Sequence, residues 1–152
     1  MIAEKVGILM GSASDQPVLE NCKKYLAAFG ITFEEHILSA HRNPEEVTAF
    51  TRHAEQNGFG VIIAAAGMAA HLPGVIAAQT VLPVIGVPIA SGALNGFDAL
   101  LSIVQMPPGV PVATVAIGGA VNAAVLAAQI LATKHPELRE RLREFKAKGA
   151  RL

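Results

Sequence analysis

Charge is distributed very unevenly along this 152-residue chain. Between residues 56 and 133, Asp98 is the only Lys, Arg, Asp or Glu, and all the others lie in the two flanking segments. A stretch this apolar must be buried in a core, in a membrane or against other copies of the chain. Gly and Pro interrupt it so often that no run reaches the about 20 apolar residues of a membrane helix. We therefore reject a membrane span and expect an obligate homo-oligomer.

The overall composition indicates one globular domain over residues 1–152. The 12 basic and 12 acidic side chains balance, which argues against nucleic acid as a partner because basic side chains dominate duplex affinity. Cys22 is the only cysteine, and no three His, Cys or carboxylate residues cluster at metal-ligand spacing, so neither a disulfide framework nor a metal site is expected. The first residues do not resemble a secretory signal, and we expect a soluble cytoplasmic protein.

Short apolar runs alternate with helical patterns along the chain. Five segments read as strands: 6–10, 32–38, 61–65, 84–87 and 112–117. The first reads as buried, and 61–65 is apolar throughout, as expected for a strand covered on both faces. Six helical patterns follow the strands in turn: 15–29, 44 to about 57, 69–79, 99–104, 120–133 and 136–148. Asn43 is placed to cap the second helix, with Glu46 completing a capping box. The alternation predicts a three-layer α/β fold, with a five-stranded parallel sheet in the flavodoxin-like order 2-1-3-4-5 and a C-terminal helix.

In such a sheet, ligands bind at the carboxyl ends of the strands, near the point where the strand order reverses. The loop after the first strand is Gly11-Ser12-Ala13-Ser14-Asp15. Its hydroxyls and the free amides of the following helix suit an anion such as phosphate, with Ser12 and Ser14 as candidate ligands. The alternative is ordinary helix capping by Ser14 or Asp15. Because Asp15 would repel a phosphate, we expect its carboxylate to accept hydrogen bonds from sugar hydroxyls.

The next two loops add histidines and an arginine. In the loop 39–44, Arg42 offers a planar fork suited to phosphate, and His41 can exchange a proton near neutral pH. The alternative is that Arg42 is a solvated charge of the loop and His41 is an ordinary turn residue. Small residues in the loop 66–74 allow a flat ring to approach the backbone closely. His71 in this loop either faces the ligand pocket or is a buried histidine whose hydrogen bonds are made within the protein. The segment 105–109 forms either a lid or wall of the pocket or a plain connection between helix and strand.

Five motifs occur in order over nearly the whole chain: Gly11-Ser12-x-Ser14-Asp15, Ser39-Ala40-His41-Arg42-x-Pro44, Ala69-Ala70-His71-Leu72-Pro73-Gly74, Leu82-Pro83-Val84-Ile85-Gly86-Val87-Pro88 and Ser102-Ile103-Val104-Gln105-Met106-Pro107. Together they closely resemble the PurE family, the mutases of 5-(carboxyamino)imidazole ribonucleotide in purine biosynthesis. The family is also named as the catalytic subunit of phosphoribosylaminoimidazole carboxylase. The resemblance implies a flavodoxin-like subunit, a homo-octamer with active sites shared between subunits, and no cofactor: no metal, biotin or ATP takes part in this step.

The resemblance also implies roles for individual positions. Phosphate and ribose contacts fall on Ser12, Asp15 and Arg42, and the catalytic histidine falls on His41. The remaining substrate-binding positions lie beside them or line the pocket for the base and carboxylate: Ser14, Ser39, Ala40, Gly67, Ala69, Ala70, His71 and Leu72. Where bacterial members usually have Gly-Ala-Gly-Gly before Ala-Ala-His, this chain has Ala65-Ala66-Gly67-Met68.

The implied reaction moves a carboxylate from the exocyclic amine to ring carbon 4, giving 4-carboxy-5-aminoimidazole ribonucleotide on the route to IMP. Carbon dioxide would be released and recaptured in the pocket, with His41 carrying one proton. The labile substrate suggests functional coupling to the ATP-dependent synthetase that makes it.

Other functions remain as alternatives to the mutase. The Ala-His-Leu-Pro-Gly sequence resembles bacterial mutases rather than the animal-type carboxylase, which takes up free carbon dioxide directly; that direct carboxylase is the main alternative within enzymes. A non-catalytic nucleotide-binding module or a flavin electron carrier is the alternative from other classes. A flavin carrier usually packs aromatic rings on its cofactor, and this chain has no Trp and only Tyr25.

Overall fold

A computed structural model describes residues 2–152 of the chain. Its strands are β1 (Lys5–Met10), β2 (Phe33–Ile37), β3 (Phe59–Gly67), β4 (Val84–Ile89) and β5 (Ala113–Thr114). They form one sheet in the order β2-β1-β3-β4-β5, and every neighbouring pair is parallel. The predicted flavodoxin-like topology is confirmed.

Six helices cover the two faces of this sheet: α1 (Gln16–Ala28), α2 (Pro44–His53), α3 (Leu72–Ala77), α4 (Phe97–Val104), α5 (Ala120–Leu131) and α6 (Pro136–Ala147). A single 3-10 turn, Ala13–Asp15, precedes α1. Buried side chains of α1, α5 and α6 form one core cluster with the sheet, and those of α2, α3 and α4 form the other. None of the helices within residues 2–152 is both long and apolar enough to cross a membrane.

Strand β3 lies in the middle of the sheet and contributes to both clusters. Val61, Ile63 and Ala65 belong to the α1/α5 cluster, whereas Ile62 and Ala64 belong to the α2/α3/α4 cluster. Successive side chains of a strand point to opposite faces, so a strand that is covered on both faces must be apolar throughout. The charge-poor part of the sequence therefore starts just before β3 because both faces of the central strands are buried.

Helix α6 packs at the amino edge of the sheet and on α1. The ring of Phe145 makes edge contacts with Tyr25 at 5.9 Å and Phe29 at 5.3 Å between centroids. Just before α6, Nε2 of His135 lies 2.5 Å from the Glu4 carboxylate, which immediately precedes β1. The end of α5 and the start of α6 thus lie at the edge of the sheet opposite to the carboxyl ends of the strands.

Three predicted elements are clearly shorter than expected. Helix α3 spans Leu72–Ala77 instead of 69–79, because residues 68–71 form the turn that leaves β3. Strand β5 has two paired residues instead of the predicted 112–117, because Pro88 of β4 faces β5 and has no N–H to continue the ladder. The Pro88 carbonyl still accepts a hydrogen bond from the amide of Gly118 at 2.8 Å. Helix α2 ends at His53 rather than near residue 57, because the chain turns through Gly58 at a φ of 81° to enter β3.

Cys22 lies on the buried face of α1, and burial raises the pKa of its thiol to about 12. Since the thiolate is the reactive form, we expect a disulfide reagent at pH 8 to label the native protein at least about 100-fold more slowly than the urea-unfolded chain. The single cysteine makes the absorbance signal unambiguous. Equal labelling rates in the two states would contradict this placement of Cys22.

Candidate active site

The loops after β1, β2, β3 and β4 enclose a cleft of about 320 Å³ at the carboxyl edge of the sheet. This volume lies within the range of small-molecule sites. Every predicted site residue except Ala70 lines the cleft, together with Gly11, Ala66, Met68 and Ser91. Ala70 is 1% exposed and packs in the α2/α3/α4 core cluster beneath the cleft floor.

The first loop is held by Ser12. Its hydroxyl oxygen accepts hydrogen bonds from the Ser14 amide at 3.3 Å and the Ser14 hydroxyl at 3.0 Å. Ser12 thereby caps the short 3-10 turn, and the side chain of Asp15 makes no capping hydrogen bond to α1. The alternative interpretation, in which Ser14 or Asp15 caps the helix, is wrong because α1 has no side-chain capping hydrogen bond and the Ser14 hydroxyl donates to Ser12.

Asp15 is an acidic side chain in a mostly buried position, with 8% of its surface exposed. Burial raises the pKa of its carboxyl, and a backbone hydrogen bond from Ser12 acts in the opposite direction. It forms no ion pair with any cation of residues 2–152. A buried carboxylate that faces a cleft without a cation has free capacity to accept hydrogen bonds from a ligand.

The second loop is shaped by Ser39 and Asn43. The Ser39 hydroxyl oxygen accepts from the amides of His41 at 3.3 Å and Arg42 at 3.2 Å. The Asn43 side-chain oxygen accepts from the Ser39 amide at 3.3 Å and makes no hydrogen bond to α2. Asn43 does precede the helix as predicted, but the expected capping box is wrong because its side chain closes the loop instead.

These bonds present the side chain of Arg42 to the cleft. Arg42 is exposed, and the part of the chain that the structure describes offers it no acidic partner within ion-pair distance. Its five N–H donors are therefore available to an anionic ligand.

Two histidines meet across the cleft. Nε2 of His41 lies 2.7 Å from Nδ1 of His71, and the rings are 4.8 Å apart at an angle of 88°. One ring must donate and the other must accept, so the hydrogen bond itself holds one proton between the two rings. Of the two readings of His71, the structure supports the one in which it faces the pocket: the side chain is exposed, lines the cleft and bonds another cleft residue.

The third loop leaves β3 with a sharp turn at Met68. This residue has a φ of 52°, in the left-handed region that favours glycine. The turn lets the Ala70 amide bond the Met68 carbonyl at 2.8 Å and the His71 amide bond the Ala69 carbonyl at 2.9 Å. The backbone conformation explains why a glycine is usual at this position, and it places the Met68 side chain at the cleft.

Ser91 was not among the predicted site residues. It lies two residues beyond the end of β4, and the signal that would have found it is a hydroxyl residue in the loop after a buried strand. The predicted site comprised only the loops after the first three strands. The segment 105–109, by contrast, does not line the cleft: Met106 packs on α3, with its sulfur 3.1 Å from where a Cβ on Gly74 would lie. Within the cleft of a single chain it is a connection rather than a wall.

Within residues 2–152, no group of three or more His, Cys, Asp or Glu side chains is placed to hold a metal ion.

Together, the fold and the cleft define an α/β protein that binds a small ligand where the strand order reverses. The family model described as AIR carboxylase matches residues 5–151, and the chain belongs to this family. The family assignment made from the five motifs is thereby confirmed.

Relatives and a solved structure agree with this assignment. The chain is 59% identical over 142 residues to the N5-carboxyaminoimidazole ribonucleotide mutase of Pyrococcus abyssi, covering 93% of this chain and 82% of that protein. It is 51% identical over 144 residues to the enzyme of the same name from Escherichia coli, covering 93% and 85%. The crystal structure of Treponema denticola PurE superposes with a TM-score of 0.88 at 30% identity, covering 97% and 92% of the two chains.

The raised pKa of Asp15 has a consequence for stability. The folded protein holds the Asp15 proton to a higher pH than the unfolded chain does, so this group's contribution to stability is lost as the pH rises through the folded pKa. We expect Asp15→Asn to raise the melting temperature at pH 7 by about 2 °C. The difference should shrink as the pH falls below the ordinary carboxyl range. Thermal melts between pH 3 and 8 measure it, and a lower melting temperature for the variant at pH 7 would show that the ionised carboxylate supports the fold.

Proposed function

We propose that this chain is an N5-carboxyaminoimidazole ribonucleotide mutase, an isomerase that forms 4-carboxy-5-aminoimidazole ribonucleotide in purine biosynthesis. The observation that carries the proposal is the hydrogen-bonded pair of His41 and His71 in a cleft that also holds an unpaired arginine and a buried carboxylate. Relatives that bear the mutase name at 51–60% identity support it.

The phosphate and the ribose of a ribonucleotide match the first two loops. Arg42, with Ser12, Ser14 and Ser39 near it, binds the phosphate, because guanidinium and hydroxyl groups donate to phosphate oxygens. Asp15 accepts hydrogen bonds from the ribose hydroxyls, which supply the donors that this buried carboxylate lacks. These contacts hold the nucleotide at a distance from the reacting atoms, so their binding energy orients the base.

The base and its carboxylate occupy the rest of the cleft. Gly67, Ala69 and Leu72 line its inner wall, and Ala40 faces them from the second loop. The backbone around Ala70 supports this wall from the core side. Small side chains here allow a flat imidazole ring to lie close to the backbone, with the histidine pair at its edge.

One proton serves both halves of the reaction. When the carbamate N–C bond breaks, its electron pair stays on nitrogen, which takes a proton from His41, and carbon dioxide is released. Ring carbon 4 attacks the carbon dioxide with a ring electron pair, and His41 then removes the proton from carbon 4 to restore aromaticity. The steps balance without a metal, biotin or ATP. His71 orients the His41 ring through the 2.7 Å hydrogen bond.

Feeding each substrate separately tests the activity. The mutase converts 5-(carboxyamino)imidazole ribonucleotide without added bicarbonate, whereas a direct carboxylase, the activity in the family's name of AIR carboxylase, requires aminoimidazole ribonucleotide with carbon dioxide. Turnover of only the second pair would replace our proposal with the carboxylase. Binding of the nucleotide without any turnover would replace it with a non-catalytic module.

His41 and Arg42 are neighbours with different proposed tasks, which makes their variants matched controls for each other. We expect His41→Asn to lower kcat at least about 1,000-fold while nucleotide affinity stays within about threefold. Arg42→Ala should instead weaken nucleotide binding at least about tenfold. Steady-state kinetics and calorimetry measure both. A His41→Asn variant within about tenfold of full activity would remove His41 as the proton carrier.

The chain also exposes an apolar surface on α4 to solvent. Phe97, Leu101 and Val104 lie at helical spacing on α4, are 65%, 56% and 47% exposed, and continue into Leu94 at 58%. Contiguous exposed apolar surface of this kind is typical of an interface. The proposal therefore includes a homo-octamer of single-domain chains, assembled through this α4 surface in the cytoplasm. It also includes functional coupling of this octamer to the ATP-dependent synthetase that supplies the labile carbamate.

A charge placed in the α4 surface should disrupt the assembly. Light scattering should give wild type a mass of about eight times the 15.8 kDa of one chain. Leu101→Glu should give smaller species, because burying an unpaired carboxylate costs several kcal/mol. Leu152→Glu places the same charge at an exposed leucine of the C-terminus and should leave the mass unchanged. Light scattering of wild type as a 15.8 kDa monomer at micromolar concentration would contradict the assembly.

A further inference from the structure

We infer that the hydroxyl of Ser91 binds the carboxylate that moves during the reaction, at the end of the cleft opposite to the phosphate. This inference rests on the proposed mutase function and assigns a substrate contact that the motif comparison did not include. The inference follows from the position of Ser91 in the loop beyond β4, from its free hydroxyl and from the space that Gly67 leaves.

The strand order separates the two ends of the cleft. Arg42 follows β2 and Ser91 follows β4, and β1 and β3 lie between these strands. With neighbouring strands about 4.8 Å apart, the two loops begin about 14 Å from each other. The substrate also carries its negative groups at two ends, a phosphate on the ribose and a carboxylate on the base. If Arg42 binds the phosphate, the carboxylate points toward β3 and β4.

Ser91 has a hydroxyl that is free to bind a ligand. Its side chain is exposed in the cleft and makes no hydrogen bond with any protein group of residues 2–152. The loop after β4 carries no charged side chain before Asp98. The donor at this end of the cleft is therefore neutral.

A neutral donor suits this step better than a cation. The carboxylate must leave nitrogen as uncharged carbon dioxide and become a carboxylate again on carbon. A lysine or arginine would bind the anionic ground state more strongly than the uncharged intermediate and would raise the barrier to release. A hydroxyl donates a weaker hydrogen bond that orients the group in both forms.

The backbone at Gly67 makes room for this hydroxyl. A Cβ at residue 67 would lie 2.6 Å from the Ser91 hydroxyl oxygen, so any larger residue would displace it. The other nearest atoms belong to Ile89 and would be at ordinary distances of 3.5 and 3.7 Å. The side chain of Met68 lies against Gly92 and makes the adjoining wall apolar. Ser91 is thus the polar group at an otherwise apolar end of the cleft.

The test measures how substrate is partitioned between product and the decarboxylated aminoimidazole ribonucleotide. We expect Ser91→Ala to lower the rate of product formation about tenfold and to raise the share of decarboxylated nucleotide several-fold, because released carbon dioxide is no longer held beside carbon 4. Affinity for aminoimidazole ribonucleotide, which lacks the carboxylate, should stay within about twofold. Ser91→Thr restores the hydroxyl and should recover most of the product share.

Gly67→Ala provides an independent route to the same defect. Alone, it should displace the hydroxyl and reproduce the altered partition of Ser91→Ala. In the Ser91→Ala background the 2.6 Å contact is absent, so the second substitution should add less than about twofold. Thr133→Ala removes a hydroxyl at the opposite edge of the sheet and should behave as wild type. Thermal melts verify that each variant is folded.

The outcomes separate the two proposals. If wild type does not convert 5-(carboxyamino)imidazole ribonucleotide, the proposed function fails. If wild type converts it and folded Ser91→Ala partitions substrate as wild type does, the function stands and the Ser91 inference is overturned. Should Ser91→Ala not fold, the partition measured for Gly67→Ala decides alone.

Discussion

Burial of β3 on both faces is the constraint on which the other features depend. Its pairing places Ala65 beside Met10 of β1 and Gly67 beside Ile89 of β4, so three strands end at nearly the same level. The loops that follow must therefore emerge side by side at one edge of the sheet. An apolar core, which itself carries no chemistry, thereby sets the positions of the side chains in the cleft.

The cleft contains two features that a stable protein would otherwise avoid. Asp15 is buried without a cation, and Met68 has a left-handed backbone. Each of these costs folding free energy, and both lie in one cleft. Such clustering is typical of a binding site. Arg42 and Ser91 are exposed in the same cleft, where their donors are free to bind a ligand.

Sequence reasoning was most successful where one local pattern sufficed. The strands β1 to β4 and the helices α5 and α6 follow from apolar runs and helical spacing, and the strand order follows from their alternation. It was wrong where a distant group decided the outcome. Whether β5 continues depends on Pro88 in the neighbouring strand, and the Asn43 side chain turned toward Ser39 instead of the helix. The contribution of the fourth loop was missed because only the loops after the first three strands were predicted to form the site.

The sequence by itself determined the parallel α/β architecture and three of the four loops that line the cleft, because these depend on local periodicity and on residues adjacent in the chain. Only the tertiary structure decided that His41 bonds His71, thirty positions away, and that Ser91 faces Gly67. Those contacts join residues from different strands, and their distances depend on the register of the sheet. Register arises from packing of the whole core, and no single segment of the chain encodes it.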